Sequence, residues 1–308
     1  AVLTTIIAIT SIVWILDGIY QYFTGSDLLG NPLVRTVRVS GPFTNTHLGI
    51  LLTVTLPVTL KWLKRFGLSS QIVYILLLAF TLCFAGVRTD ILTFFLVIIV
   101  FYCFYFRTTR KKVIFIACFV LLLFSVGWIA ISVSPIAKHR FEATMAIFQD
   151  GDFRSNLNTA LSGRVEIWEA GLNMLKDKPV TGIGARCFQD AYETHKPNEE
   201  IAGELLLVKD GFHAHHVWIG TLAETGIVGF IGLAGAVMFL VLLTCRSRSG
   251  FNLYTYPWML SFLLIVNPLN SMTPIFKLWW VPIVLLVIVV QLVELHRNAQ
   301  IDLHNVEQ

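Results

Sequence analysis

Three histidines lie within four residues of this 308-residue chain, in the sequence His213-Ala-His215-His216. They mark the point where a long polar stretch re-enters an apolar run that begins at Val217. Titratable side chains at such a boundary indicate a functional site. A neutral imidazole near cationic groups can accept a proton from an attacking hydroxyl, so the cluster predicts base catalysis. One of the three histidines is expected to act only as a polar partner of the helix start.

Three arginines lie at or beyond boundaries of the same kind, where charge is unfavourable. Arg88 is expected to end an apolar span, Arg38 lies in Arg38-Val-Ser-Gly-Pro-Phe-Thr-Asn, and Arg164 begins an amphipathic segment. A guanidinium has planar donors that suit phosphate oxygens, so the set predicts an anionic, phosphate-bearing substrate. The alternative for Arg88 is an ion pair with Asp90 or a contact with lipid headgroups.

Other polar motifs are less specific. Glu224 lies one or two turns inside the apolar run, so it is either a second site group or a paired carboxylate. His-x-His-His could ligate zinc, but no HExxH motif or further ligand at suitable spacing accompanies it, and no metal site or cofactor is predicted. The glycines in Thr181-Gly-Ile-Gly184 follow no strand, which argues against a Rossmann phosphate loop.

The composition requires a membrane protein, because 56% of the residues are apolar and only 14% are charged. Apolar runs of helical length recur and none has the alternation of a barrel strand, so the prediction is an all-α, polytopic membrane protein. About eight transmembrane helices are expected, and the seventh is the weakest; the spans are 1–23, 47–63, 70–87, 90–106, 113–134, 217–245, 254–269 and 275–295.

Basic residues predict the orientation, because cytoplasmic loops retain positive charge. They follow spans two, four, six and eight: Lys61, Lys64 and Arg65; Arg107, Arg110, Lys111 and Lys112; Arg246 and Arg248; Arg297. The net charge of +4 is thereby explained, and no nucleic-acid partner is expected. Residues 1–134 are predicted to hold five spans, 135–216 an external loop, 217–295 three more spans, and 296–308 a cytoplasmic tail, of which 298–308 is expected to be frayed.

The external loop 135–216 is too long for a plain connector. Apolar residues at 165, 168, 172 and 175 form one face of an amphipathic helix, with Ser162 as its cap and Pro179 as its stop. Such a helix is expected to lie on the external bilayer surface with Trp168 at headgroup depth. Arg186 follows, beside aromatic residues.

Several motifs in this order resemble the O-antigen ligase and polymerase family of bacterial inner-membrane glycosyltransferases. The resemblance covers about residues 15–240. It rests on Asp17-Gly-Ile-Tyr-Gln, Arg38-Val-Ser-Gly-Pro-Phe-Thr-Asn-Thr-His-Leu-Gly, Gly86-Val-Arg-Thr, Gly163-Arg-x-x-x-Trp, Lys-Pro179-x-Thr-Gly-Ile-Gly, Phe188-x-x-x-Tyr, and His213-Ala-His-His-x-Trp-Ile-x-x-Leu-Ala-Glu-Thr-Gly.

The resemblance implies transfer of a glycan from undecaprenyl pyrophosphate to a hydroxyl of lipid A core, at the periplasmic face of the inner membrane and without a metal. By its motifs, His215 corresponds to the general base, and Arg88 and Arg164 to the groups that bind pyrophosphate and stabilise charge on the leaving group. Arg38, Arg186, His216, Trp168 and Glu224 are the further substrate-binding candidates. Membrane lipids are the remaining expected partners.

Two departures from the family pattern leave alternatives open. The family usually has Asn where this chain has His216, so either His215 or His216 is the base. The family generally carries more spans, and the chain starts without Met, so two to four N-terminal helices are expected to be missing. The ligase branch is favoured over a polymerase or a protein O-oligosaccharyltransferase. A transporter or flippase of lipid-linked sugars is the alternative of another class, but it is expected to show two related halves.

Overall fold

The computed structural model describes residues 2–34, 38–133, 138, 141–142, 144–148, 152–161, 163–197, 213–247, 252, 256–268 and 275–306. Within these ranges the chain is helical and forms no β-strand; two isolated bridges pair Ser26 with Pro32 and Val34 with Arg38. The predicted all-α class is confirmed. The Ser162 cap lies outside the described residues.

The chain divides into two compact units. The first comprises Ala1–Tyr105, Val237–Met272 and Pro282–Gln308, and the second comprises Phe106–Ala236 and Thr273–Val281. The predicted membrane-topology boundaries, at residues 134, 216 and 295, stay predictions.

Long apolar helices make up most of the first unit. They are α1 (Val2–Thr24), α2 (Leu48–Leu63), α3 (Leu68–Ala85) and α4 (Arg88–Tyr105). Along the chain come the C-terminal part of α9 (Val217–Arg246), then α10 (Pro257–Ile265) and α11 (Val281–Val306). Helix α2 packs against α1, α3, α4 and α10. It is apolar nearly all round, as a helix enclosed by others must be.

Five of these helices are long and apolar enough to cross a membrane: Val2–Thr24, Leu68–Ala85, Arg88–Tyr105, Val217–Arg246 and Val281–Gln300. Each has at least the roughly 17 residues that span the hydrocarbon core. The protein is therefore a multi-pass membrane protein. Helices α2 and α10 have 16 and 9 residues, so the predicted number of eight spans stays a prediction.

Two helix boundaries differ from the prediction. Arg88 begins α4 instead of ending α3, because α3 ends at Gly86, whose left-handed backbone at φ 69° caps the helix. Helix α11 begins at Val281, since residues 275–280 form turns. The expected frayed tail is also wrong as far as Val306. In this part of α11, Asn298 donates to the Tyr256 hydroxyl at 3.3 Å and thereby ties the polar end to the first unit.

Helix α2 approaches α4 closely at Gly49. A Cβ on Gly49 would overlap with the carboxylate of Asp90, which is 4% exposed. Among the residues described, the Oδ2 atom of Asp90 has no hydrogen-bond partner, which gives no support to the alternative of an ion pair between Arg88 and Asp90. Only a glycine on α2 leaves room for this carboxylate.

Gly49→Ala is therefore expected to lower stability by about 1–3 kcal/mol, the usual effect of overpacking a filled interior. Thermal unfolding in detergent measures the change. Gly232→Ala in α9 is the matched control, because nothing lies within 4 Å of a Cβ at that position. Equal melting temperatures for the two variants would contradict the proposed overlap.

The second unit contains α5 (Thr109–Val133), α6 (Phe153–Ala160), α7 (Arg164–Asp177), α8 (Phe188–His195) and the N-terminal part of α9. Its core is formed by residues from α7, α8, α9 and the segment just before α9: Ile167, Ala170, Met174, Phe188, Tyr192, Ala214 and Ala223. A Cβ on Gly171 would lie 2.9 Å from Ile219 Cγ2. Helices α7 and α9 therefore meet closely at a small residue.

The amphipathic helix α7 exists, but its buried face differs from the predicted one. Ile167, Ala170, Gly171 and Met174 are buried, whereas Leu172 of the predicted face is 43% exposed. The apolar pattern at 165, 168, 172 and 175 could not reveal that small residues one position away pack on α8 and α9. Trp168 contacts the histidine segment, as described below.

Candidate functional site

The histidine segment 213–216 is held from one side by α7. Trp168 Nε1 donates a hydrogen bond to the Ala214 carbonyl at 2.9 Å, and the indole meets the His216 ring edge to face at a centroid distance of 5.6 Å. The rings of His213 and His215 lie 3.9 Å apart. The structure thus brings together Trp168 and all three histidines.

His215 has a left-handed backbone conformation, with φ 47°. Among the residues described, Arg186 is the other non-glycine residue with positive φ, at 68°. Such conformations are unfavourable for residues with a Cβ, and they concentrate at functional sites because the surrounding structure must impose them. Both residues were predicted as site residues from the sequence.

His216 contacts the beginning of α9. The backbone N–H of Ile219 donates to His216 Nδ1 at 3.3 Å, so the ring nitrogen satisfies one of the unpaired N–H groups of the first helical turn. Burial lowers the pKa of the His216 imidazole below its usual value, which favours the neutral ring. A neutral ring that accepts at Nδ1 carries its proton on Nε2.

A small pocket, with a volume of about 10 Å³ that holds roughly one water molecule, opens beside these histidines. Its walls come from the histidine segment, the first two turns of α9 and the segment before α11: His213, Ala214, His215, His216, Val217, Gly220, Thr221, Glu224, Ile275 and Phe276. The pocket therefore combines imidazoles and a carboxylate with apolar walls.

Glu224 lines the pocket, and its carboxylate also has hydrogen-bond partners in the chain. It is 5% exposed, and it accepts hydrogen bonds from the backbone N–H groups of Arg186 and Phe188. These N–H groups lie at the start of α8, where the helix dipole favours a negative charge. Glu224 therefore fixes the start of α8 and the backbone of Arg186 against α9.

Helix α9 is broken at Gly226, where φ is 63° and ψ is −162°. The segment 179–184, which we call the clasp segment, lies against the break and replaces its lost hydrogen bonds. Ile183 and Gly184 donate to the carbonyls of Ala223 and Glu224, both at 3.0 Å. In return, Ile227 and Val228 donate to carbonyls of the clasp segment at 2.9 and 3.3 Å.

One glycine in the clasp segment and one in α9 allow the two backbones to approach closely at the break. A Cβ on Gly182 would overlap with the Glu224 carbonyl group, and a Cβ on Gly226 would overlap with the Val180 carbonyl. Broken helices at membrane depth need such protein partners, because lipid offers no hydrogen bonds. The clasp segment therefore joins the loop to α9 through reciprocal backbone bonds.

Arg164 begins α7, and a buried asparagine organises that start. Asn158 Oδ1 accepts from the Val165 N–H at 3.2 Å, and its Nδ2 donates to Glu166 at 3.2 Å. Arg154 forms a bidentate ion pair with Glu169 on the next turn. The region around Arg164 is thereby ordered by polar contacts that the sequence analysis did not identify.

Arg186 is exposed and lies two residues beyond the end of the clasp segment. No ion pair of its guanidinium appears in the part of the chain that the structure describes. Its backbone is fixed by Glu224, whereas its side chain remains available to solvent.

Arg38 and Arg88 belong to the first unit, and both are half-buried. The structure brings Arg38 to the turn that leads into Arg88, since Arg38 Nε lies 3.6 Å from where a Cβ on Gly86 would be. The Val39 N–H donates to the Phe84 carbonyl at 3.1 Å and fixes this approach. Two arginines from separate motifs are thus associated with one turn.

Sequence reasoning missed Asn158, the break at Gly226, and the pocket walls Ile275 and Phe276. A glycine inside a long apolar helix was a usable signal for the break, because mid-helix glycine usually has a packing reason. Nothing in the pattern identified Asn158. Across the described ranges, no group of three or more His, Cys, Asp or Glu side chains is arranged to hold a metal ion.

Comparison with known proteins gives two findings. The sequence model of a family described as O-antigen ligase matches residues 73–234. A 76-residue part of the chain is 30% identical to the exopolysaccharide production protein ExoQ of Rhizobium meliloti (strain 1021). That match covers 24% of this chain and 17% of the relative.

Proposed function

Because the chain belongs to the O-antigen ligase family, we propose that it transfers O-antigen polysaccharide from undecaprenyl pyrophosphate to a hydroxyl of lipid A core. Family membership and the multi-pass helices support a membrane glycosyltransferase in general. The observation that carries the proposal is the pocket beside His215. The backbone of His215 has an unfavourable left-handed conformation there. We place the reaction at the periplasmic face of the bacterial inner membrane, with residues 135–216 as the periplasmic loop.

In the proposed reaction, His215 is the general base. An imidazole nitrogen accepts the proton of the acceptor hydroxyl as its oxygen attacks the anomeric carbon of the donor sugar. The bond from that carbon to the pyrophosphate oxygen breaks, and undecaprenyl pyrophosphate leaves with the electron pair. The displacement needs no metal if cationic side chains stabilise the charge that builds on the leaving group.

Arg88 and Arg164 are proposed to supply that stabilisation, because a guanidinium can donate two parallel hydrogen bonds to phosphate. Arg38, at the turn before Arg88, and the exposed Arg186 are proposed as further donors to the anionic substrate. Trp168 and Glu224 are proposed to shape the substrate site through the histidine segment and the clasp segment. Ordinary membrane lipids surround the helices.

A polymerase is the second candidate, and the ExoQ match favours it, since the name of that relative concerns exopolysaccharide production. In that reaction the acceptor hydroxyl belongs to another lipid-linked repeat unit. The same base and arginines would serve, because the leaving group is unchanged.

Reconstitution in proteoliposomes tests the proposal. The protein, with any preceding helices that its gene encodes, receives an undecaprenyl-pyrophosphate-linked glycan and a lipid A-core acceptor. Glycan on lipid A core supports the ligase, whereas a lengthened carrier-linked glycan supports the polymerase. Glycan on protein serines indicates a protein O-oligosaccharyltransferase, and movement of the donor across the bilayer without transfer indicates a flippase.

Arg88→Lys is expected to lower the rate of transfer about 10²–10³-fold, the usual cost of losing one preorganised donor to a developing charge. Lysine keeps the charge but cannot reproduce the planar fork. The initial rate of glycan transfer in proteoliposomes measures the effect. The exposed Arg110 provides the matched control, and Arg110→Lys is expected to retain wild-type activity. Full activity of Arg88→Lys would assign Arg88 a structural role.

A further inference from the structure

His216 has the geometry of a helix N-cap. It is the residue before Val217, the first residue of α9, and the N–H that its Nδ1 accepts belongs to the third helical residue, Ile219. That is the bond that Asn, Asp, Ser and Thr make at helix starts. Nδ1 of histidine is separated from Cβ by one atom, as is Oδ1 of asparagine, so either side chain can make this bond.

We infer that His216 is a positioning residue that caps α9 and holds His215 in its left-handed conformation, and that it is not the proton acceptor of the reaction. The inference rests on the proposed function in taking His215 as the base. It explains how this chain can have histidine at a position where the family pattern has asparagine.

Three contacts surround His216 and limit what it can do. Its Nδ1 accepts a hydrogen bond from the Ile219 N–H, and its carbonyl accepts one from the Gly220 N–H at 2.9 Å. Its ring packs against the Trp168 indole in a T-shaped contact. Trp168 also binds the carbonyl of Ala214, two residues earlier. The backbone on both sides of His215 is therefore fixed, and the φ of 47° at His215 follows from these attachments.

Protonation of His216 would remove the cap, because a protonated ring has no acceptor at Nδ1 and brings positive charge to the positive end of the helix dipole. Burial already lowers the pKa of this ring. Its contribution to stability is full above about pH 6.5, the pKa of an unfolded histidine, and is lost as the pH falls below that value towards the lowered folded pKa.

Other titratable groups face the same region and belong in the design of the test. His213 and His215 share the segment, Glu224 lies in the same pocket on α9, and Arg164 begins the adjacent α7. Ile275 and Phe276, on the remaining wall, do not titrate. Only a comparison of variants at position 216 isolates the contribution of His216.

The test compares His216→Asn with His216→Ala in the whole protein. Asparagine restores the cap and does not titrate, so His216→Asn is expected to keep transfer within about 3-fold of wild type, whereas alanine loses the cap. In His216→Ala, hydrogen exchange at the Ile219 amide is expected to accelerate about 5–30-fold, the factor that corresponds to the loss of one cap. Asparagine should restore slow exchange.

The pH dependence gives a second readout. Between about pH 6.5 and 5, the melting temperature of wild type is expected to fall more steeply than that of His216→Asn. His296→Asn removes a histidine that is exposed near the end of α11, and it should keep the wild-type slope.

Two outcomes would overturn the inference. A folded His216→Asn protein with slow Ile219 exchange and no transfer at any pH would make His216 a catalytic residue. An unchanged rate of Ile219 amide exchange in His216→Ala would show that His216 does not cap α9. If the wild-type protein transfers no glycan to any acceptor, the proposed function fails. The hydrogen-exchange and melting measurements would still show whether His216 caps α9.

Discussion

Replacing His215 with alanine is expected to lower the rate of glycan transfer about 10²–10⁴-fold, the range for loss of a positioned general base. The acceptor hydroxyl then has no group to take its proton as it attacks. The measurement is the initial rate in proteoliposomes with a saturating donor, followed by gel separation of glycan-bearing lipid A core. The melting temperature should change little, because the His215 side chain is only half-buried.

His195→Ala is the matched control, since it removes a half-buried histidine of α8 whose Nε2 atom pairs, at 3.8 Å, with the exposed carboxylate of Asp177 only when the ring is protonated. Such pairs contribute little to stability, so this variant should transfer at the wild-type rate. Wild-type transfer by His215→Ala would assign the base to another group. Loss of transfer in both variants would point to a general disturbance of the second unit.

Replacing Gly226 with alanine is expected to have the largest effect on folding. The left-handed backbone at φ 63° disfavours a Cβ, and the added methyl group would overlap with the Val180 carbonyl. Strain and overlap together predict a loss of at least about 3 kcal/mol, or separation of the clasp segment from the helix. Either result should abolish transfer. Thermal unfolding and hydrogen exchange at Ile227 and Val228 measure the two effects.

Two further variants make this prediction specific. Gly182→Ala alters the other side of the same contact, where a Cβ would overlap with the Glu224 carbonyl group, and it should reproduce the defect. Gly235→Ala lies in the same helix with nothing within 4 Å of its Cβ. Since alanine is the better helix former, this control should be neutral or stabilising by up to about 1 kcal/mol. A defect of equal size in Gly235→Ala would refute the clasp explanation.

The helices that the sequence predicted well are those defined by long apolar runs. The ends of helices α1 and α9 lie within about one residue of the predicted spans. A long apolar segment in lipid forms a helix because its backbone N–H and C=O groups must bond to each other. Helix α10 is shorter than predicted, since length in the protein interior is set by neighbouring helices and not by hydropathy. The buried face of α7 was missed because Ile167 and Met174 form a second apolar pattern on the same helix, and which of the two faces is buried depends on the neighbouring helices.

The candidate site was predictable in its residue types and not in its contacts. His215 stood out as a titratable side chain at a membrane boundary, and its unusual backbone conformation is a consistent structural sign. The sequence could not distinguish it from His216, because the cap depends on the ring orientation that Trp168 imposes. Glu224 likewise became interpretable only through its backbone partners at Arg186 and Phe188, which are distant in the chain.

The reciprocal hydrogen bonds of the clasp segment have a consequence for protein engineering. A chimaera that exchanges the segment preceding α9 with that of a relative, but keeps the recipient's α9, must rebuild four backbone hydrogen bonds between segments of different origin. Grafts with junctions outside residues 179–228 should carry both partners together and preserve the broken helix. The segment 179–228 can then be exchanged as one cassette, whereas a junction between Gly184 and Ala223 divides the cassette within its own hydrogen-bonding unit.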